Sequence, residues 1–319
     1  MTRILVADQR VTPERLAELQ HAYPGVEFII PPARDRIVTL IADADAMFGS
    51  PTNAEFQAAR RLRWIQSGGA GVEWLWTIPT IADSDVTVTN MRGAHAATIA
   101  EHAFGFLLTL TRCLRQFEAF QAREEWARGQ INSRLVGIKG LTMGIIGFGN
   151  IGRAIARRAT GFEMRVLAVD AQPVPPGDGV AEVWPLARLN DLCRAADVLV
   201  IAAPITPETR GLIGAEQIGL LKPGSYLLAM SRGGIVDEPA LIAALESGHL
   251  AGAGLDVTAV EPLPPGNPLW KAPNLIITPH NSPTSRLTSD LVWSIFFENV
   301  GHFVRGEPLI NVVDKRRGY

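Results

Sequence analysis

Short apolar runs alternate along the chain with stretches whose apolar residues recur every three or four positions. RILVA (3–7) predicts a strand. Residues 13–22 predict a helix, with Thr12 able to cap its free N–H groups and Pro13 suited to the first helical position. EFII (27–30), AMF (46–48), RWIQ (63–66) and VTVT (86–89) predict further strands. Strands separated by helical patterns predict βαβ units and a parallel sheet.

From Ala96 to about Arg115 the pattern is helical and apolar on nearly every side. Such a helix is buried or shared with another subunit. The strand rhythm then restarts: TMGII (142–146), RVLAVD (165–170), DVLVIAAP (197–204), SYLLAM (225–230), GAGLDV (252–257) and LIIT (275–278), with the helix IGRAIARRAT after the first. Their length and unbroken apolar character suit strands buried on both faces. The last helical pattern, SDLVWSIFFENVGHFV, is too short to be a domain and is placed back against the first one. The expected division is a discontinuous domain of residues 1–99 and 286–319 around a second of residues 100–285. PVPPGDG (173–179) reads as a surface loop.

The 319-residue length suits two domains with separate cores. A net charge of −2 gives no support for a surface that binds nucleic acid. The basic clusters (Arg60, Arg61 and Arg63; Arg157 and Arg158; Lys315, Arg316 and Arg317) read as solvated faces. Cys113 and Cys193 lie far apart in helical patterns and read as small core residues, with neither disulfide nor metal spacing. The opening MTRILVADQR turns polar too soon for a signal peptide, and no apolar stretch is long enough to span a bilayer. A cytoplasmic location, with no membrane or nucleic-acid partner, is the expectation.

GFGNIG places Gly147, Gly149 and Gly152 in GxGxxG spacing around Phe148, Asn150 and Ile151. The pattern alone is weak, but here it follows an apolar strand and opens a helix. An acid, Asp170, stands about 20 residues further on. The glycines permit a tight turn and close approach of a pyrophosphate to the helix N-terminus. A carboxylate at Asp170 accepts hydrogen bonds from ribose hydroxyls and repels a 2′-phosphate, which favours NAD over NADP. The plain alternative is a strand-to-helix turn that merely uses glycine.

Three further residues follow strands of the same unit: Arg232 after SYLLAM, Glu261 after GAGLDV and His280 after LIIT. In open parallel sheets such tips share one edge, where ligands bind. A free imidazole titrates near ~6.5, and a neighbouring carboxylate favours its charged form. His280 can then protonate a carbonyl oxygen as hydride arrives and take the proton back in reverse. Arg232 can grip a carboxylate or carbonyl in its planar fork. Taken singly, Arg232 could be a helix cap or surface pair, Glu261 a loop acid and His280 a loop histidine.

At these residues the sequence resembles the D-isomer-specific 2-hydroxyacid dehydrogenases. The resemblance runs through IQSGGAGVE (65–73), AEHAFGFLL (100–108), GIIGFGNIGRAIA (144–156), PITPETRGLI (204–213), KPGSYLLAMSRGGIVDEPALIAAL (222–245), AGAGLDVTAVEPLP (251–264), ITPH (277–280) and GEPLINVVD (306–314). It implies an α/β chain of two doubly wound parallel-sheet domains. A Rossmann NAD-binding domain is inserted in a flavodoxin-like substrate domain, with the active site in the cleft. The homodimer it implies forms through the helix from about Ala96 and the following arm. The catalytic Arg, Glu and His of the family fall on Arg232, Glu261 and His280. Cofactor contacts fall on Gly147, Gly149, Asn150, Ile151, Gly152, Asp170, Pro204 and Thr209, with Asp256 for the nicotinamide amide. The substrate-carboxylate loop falls on Gly69, Ala70 and Gly71, small residues whose exposed N–H groups suit an anion.

Formate dehydrogenases of the superfamily pair the histidine with glutamine, so Glu261 points to carbonyl reduction. Departures stand at Ala229, where the family has Asn, and at Asn281, Ser282 and Pro283, where it favours small residues. The C-terminal extension of regulated phosphoglycerate dehydrogenases has no counterpart here. The expected activity is NAD(H)-dependent interconversion of small 2-keto acids, such as glyoxylate, hydroxypyruvate or pyruvate, with D-2-hydroxy acids. A reductase of bulkier 2-keto acids and a non-enzymatic NAD-sensing interaction protein on the same fold stay open. His102 reads as a satisfied buried histidine, with a bond across a dimer as the alternative. Trp293, Phe296 and Phe297 read as core packing, and Trp64, Trp74 and Trp76 mainly so.

Overall fold

The computed structural model describes residues 1–8 and 10–318. The chain divides into two compact units, Met1–His95 with Thr284–Tyr319, and Ala96–Pro283. Each is built on an all-parallel sheet with helices alternating between its strands.

In the first unit, β1 (Thr2–Val6), β2 (Val26–Ile29), β3 (Ala46–Phe48), β4 (Trp64–Gln66) and β5 (Thr87–Thr89) pair in the order β2-β1-β3-β4-β5. This is the flavodoxin-like order. The helix Pro13–Ala22 starts where Thr12 accepts from Arg15 N and Pro13 needs no N–H partner. The C-terminal helix Arg286–Arg305 belongs to this unit, and its Phe296 is fully buried, stacked on Phe48 at 4.1 Å. A buried polar chain joins it to the sheet: Asn299 Nδ2 and the Thr89 hydroxyl both donate to Gln66 Oε1, and Trp64 Nε1 donates to Thr89. Each polar side chain of this series, Asn299, Gln66, Thr89 and Trp64, thus has a partner, without which burial would be costly.

In the second unit, β6 (Thr142–Ile146), β7 (Arg165–Asp170), β8 (Val183–Pro185), β9 (Val198–Ile201), β10 (Ser225–Ala229), β11 (Leu250–Leu255) and β12 (Leu275–Ile277) pair in the order β12-β11-β10-β9-β6-β7-β8. The order reverses between β6 and β9, the switch point beside which such sheets bind ligands. Parallel strands put every carboxyl end on one edge, so the tips of β6, β9, β10, β11 and β12 line up there. Both sheet faces are covered, and β6, β9 and β10 are buried along their whole length.

The helix from Ala96 stops at Thr111, short of the predicted Arg115. Thr111 O, which a continuing helix would satisfy from four residues on, accepts instead from Val136 N at 2.9 Å. Cys113 then takes a left-handed conformation (φ 53°), and a new helix runs from Leu114 to Gln121. Strand β8, three residues at the sheet edge, has no counterpart among the predicted elements. Arginines of the clusters read as solvated are ion-paired: Arg61 with Asp45 at 3.1 Å, Arg157 with Asp178 of the Pro-rich loop and Arg158 with Glu101, both at 2.9 Å, and Arg316 with Asp83 at 2.8 Å. Among the described residues, no helix is long and apolar enough to cross a membrane.

Candidate active site

The three glycines of GFGNIG meet different requirements. Gly147 has φ +89°, and a Cβ there would lie 2.6 Å from the Ala203 backbone at the tip of β9. Only glycine tolerates both the conformation and the approach. A Cβ on Gly152 would overlap Gly147 O, so this glycine lets the helix Asn150–Gly161 start tight against β6. A Cβ on Gly149 would meet no protein atom within 4 Å. The space above Gly149 is therefore open, at a helix N-terminus with Asn150 and Ile151 in its first turn. A pyrophosphate fits such a place, where free N–H groups and the helix dipole favour an anion.

Asp170 ends β7. Its Oδ2 accepts from Phe148 N at 2.8 Å and its Oδ1 from Gln172 N at 2.9 Å. The carboxylate thus ties the glycine turn to the next strand. With about four acceptor directions on a carboxylate, two remain for ribose hydroxyls. Pro204 and Thr209 follow β9, where the Thr209 hydroxyl donates to Pro204 O at 2.8 Å and closes the loop on itself.

Arg232, Glu261 and His280 lie beyond the ends of three adjacent strands, β10, β11 and β12. His280 Nδ1 is 2.7 Å from Glu261 Oε2. Glu261 Oε1 accepts from Thr258 N at 3.0 Å, so the carboxylate is held from its own loop while it faces the imidazole. Both side chains are 37% exposed, and the pair is open to solvent. With Nδ1 donating to the carboxylate, Nε2 is left on the opposite edge of the ring as the nitrogen that can exchange a proton.

The arginine and glutamate loops are locked together. A Cβ on Gly233 would overlap Thr258 O, so the residue after Arg232 must be glycine for the loops to pack. Glu238 Oε1, at the start of the next helix, accepts from Ala259 N at 2.6 Å. Arg232 Nη1 donates to Ser231 O at 2.7 Å. Nothing in the spacing of Gly233 or Glu238 marks these roles; a glycine directly after a candidate arginine is the one available sign.

His280 adopts left-handed backbone, φ 51°. Asp256, at the end of β11 and 1% exposed, holds that turn. Its carbonyl accepts from His280 N at 2.8 Å, its Oδ1 from Asn281 N at 2.9 Å and its Oδ2 from Ser282 N at 3.0 Å. The Thr278 hydroxyl also donates to Oδ1, at 2.6 Å. Burial pushes the Asp256 pKa up, but the hydrogen bonds from Ser282, Thr278 and Asn281 outweigh it and the net direction is down. Asp256 is therefore a buried carboxylate that organises the turn carrying His280.

In the first unit, Gly69–Gly71 follow β4. Gly69 O accepts from Met91 N at 3.0 Å and Ala70 O from Asn90 Nδ2 at 2.8 Å. In a trans peptide the next N–H points the other way, so the Ala70 and Gly71 N–H groups point away from those donors. Phe296 is core, and Trp293 and Phe297 pack on it and around it, Trp293 also donating to Glu18.

A doubly wound sheet with a glycine turn at its switch point and an acid–histidine pair on neighbouring tips defines a nicotinamide-dependent oxidoreductase. The chain belongs to the D-isomer specific 2-hydroxyacid dehydrogenase family: the model of its NAD-binding domain matches residues 104–282. Glyoxylate reductase of Korarchaeum cryptofilum is 34% identical over 294 residues, covering 89% of this chain and 87% of that protein. Glycerate dehydrogenase of Methylorubrum extorquens is 37% identical over 235 residues, 72% of each chain. The crystal structure of a D-isomer specific 2-hydroxyacid dehydrogenase family protein from Aeromonas salmonicida matches with a TM-score of 0.86 at 34% identity, over 98% of this chain and 99% of that one.

Proposed function

We propose that this enzyme interconverts small 2-keto acids, of the glyoxylate, hydroxypyruvate and pyruvate type, with D-2-hydroxy acids, using NAD(H) in preference to NADP(H). The observation that carries the reading is the 2.7 Å contact between His280 Nδ1 and Glu261. It supports the reading that Nε2, on the other edge of the ring, is the acid and base. When bound, reduced nicotinamide supplies the hydride. In reduction, His280 Nε2–H donates to the carbonyl oxygen; in oxidation the neutral nitrogen takes the hydroxyl proton. Glu261 keeps Nδ1 protonated and offsets the imidazolium charge. Arg232 holds the carbonyl and carboxylate oxygens by its planar fork. In the first unit, the Ala70 and Gly71 N–H groups are the family's candidates for an anion.

In the same reading Gly147, Gly149, Asn150, Ile151 and Gly152 cradle the pyrophosphate. Asp170 takes the ribose hydroxyls, and Pro204 and Thr209 border the dinucleotide. Residues Ala96–Pro283 form the cofactor unit and the rest of the chain the substrate unit. A homodimer through the helix from Ala96 and the arm after it belongs to this reading; sedimentation tests it, and a monomer at micromolar concentration removes it.

The test is oxidation of NADH and of NADPH, followed by absorbance, with glyoxylate, hydroxypyruvate, pyruvate and larger 2-keto acids. Turnover of the small acids with NADH supports the proposal. Turnover of the large ones alone replaces the substrate class, and a preference for NADPH overturns the cofactor assignment. No turnover with any of them favours a protein that senses NAD without using it.

A further inference from the structure

The long helix Ala96–Thr111 carries a histidine that the proposed chemistry does not use. His102, Phe106 and Leu110 are spaced by four and share one stripe of the helix. That stripe runs along alternate residues of β11 and its end. A Cβ on Gly252 would lie 2.9 Å from Leu110 Cδ2, and one on Gly254 would overlap the Phe106 ring. The two glycines let helix and sheet approach closely. His102, packed edge-on against Phe106 at 4.6 Å, is thereby brought level with Asp256.

His102 Nε2 lies 3.0 Å from Thr278 Oγ1 and 4.0 Å from Asp256 Oδ1. A threonine hydroxyl has one proton. Here it goes to Asp256 Oδ1 at 2.6 Å, because that carboxylate already accepts N–H bonds on both oxygens and is ionised. Thr278 is then the acceptor toward the imidazole, and the Nε2 of His102 must carry the hydrogen. The result is a directed chain, His102 Nε2–H to Thr278 O–H to Asp256 carboxylate, ending on the group that holds the left-handed turn of His280. Directed chains of this kind strengthen each member and resist rotation of the last.

We infer that His102 and Thr278 are positioning residues for the proton-transferring histidine. By fixing the Asp256 oxygen that also accepts from Asn281 N, they keep residues 280–282 in the conformation that presents His280 to Glu261. The activity arm of this inference rests on the function proposed above; its spectroscopic arm does not.

The test compares Thr278→Val, which keeps shape but removes the hydroxyl, with Thr278→Ser, which retains it. It also compares His102→Leu with His102→Gln, whose amide can donate in place of Nε2–H. Thr278→Val and His102→Leu should lower kcat by about tenfold or more, as expected for a lost hydrogen bond to a charged group. KM for the keto acid should move much less. The serine and glutamine variants should recover most of the loss.

Long-range proton–nitrogen NMR of the intact wild-type enzyme should find His102 protonated on Nε2. It should also find a low-field Nδ1 proton on His280 that disappears in Thr278→Val and persists in Thr278→Ser. A wild-type His102 protonated only on Nδ1 overturns the inference without any variant having to fold. So does a folded Thr278→Val enzyme with unchanged kcat or an unchanged His280 signal, or a serine variant as impaired as the valine one. If the wild type reduces none of the keto acids, the proposed function fails, and the NMR measurements decide the positioning role alone.

Discussion

His280 reaches Glu261 across two strand tips, Nδ1 to Oε2 at 2.7 Å, from a backbone conformation that few non-glycine residues adopt. The carboxylate is anchored by Thr258 N and the turn by Asp256, so both partners are placed before a substrate arrives. In the proposed reaction His280 transfers the proton, and placing such a group beforehand is worth more to catalysis than its average contact energy.

Removing the ring should therefore affect chemistry more than binding. His280→Ala is expected to lower kcat by about 10²–10⁴-fold and to change the NADH dissociation constant little. Glu261→Gln keeps an acceptor near Nδ1 but no charge, and should cost less than the alanine variant at His280. Steady-state kinetics with fluorescence titration of NADH checks both; wild-type turnover in His280→Ala would remove the histidine from the reaction.

Under the proposed cofactor assignment, loss of Asp170 should show twice. Asp170→Ala deletes the acceptor for Phe148 N and, in that proposal, the carboxylate that disfavours a 2′-phosphate. NADH binding should weaken and the gap between NADH and NADPH should narrow. Titration with each cofactor measures this, and an unaltered ratio of the two constants would move the source of selectivity elsewhere.

Gly254→Ala should destabilise the unit without touching a reacting group. The new methyl collides with the Phe106 ring, and overpacking of this kind costs about 1–3 kcal/mol. At about 2–4 °C per kcal/mol for a unit of this size, the calorimetric transition should fall by several degrees. A transition at the wild-type temperature would mean that helix and sheet are not pressed together there.

Asp256 predicts a particular dependence on acid. Burial opposes its ionisation, but the bonds from Ser282, Thr278 and Asn281 prevail and hold its folded pKa below the ordinary 3.8. A depressed carboxylate contributes stability that is fully present above the unfolded value and lost as pH falls through the folded one. Asp256→Asn should thus be less stable than wild type at neutral pH, with the difference shrinking below about pH 4. Urea unfolding across that window measures it; a difference that stays constant, or grows in acid, contradicts the assignment.

Much of the architecture is written locally. Apolar runs of strand length, the Thr12–Pro13 start and the spacing of Gly147, Gly149 and Gly152 report backbone geometry that a few neighbouring residues dictate. Once the second sheet is parallel, Arg232, Glu261 and His280 must share its carboxyl edge, wherever they stand in the sequence.

What depends on remote hydrogen bonds left no such trace. The break after Thr111 needs Val136 N, and β8 exists because a neighbouring strand offers it an edge. Glu238, Thr278 and His102 look like an ordinary acid, threonine and helical histidine until folding sets them beside Ala259 N and Asp256. Sequence by itself determined the class of fold and the edge where ligands can bind, because chain geometry and hydrophobic period act over short range. Tertiary structure decided which polar groups meet there, because a hydrogen bond requires its two atoms within about 3 Å, and only the packed sheets bring them that close.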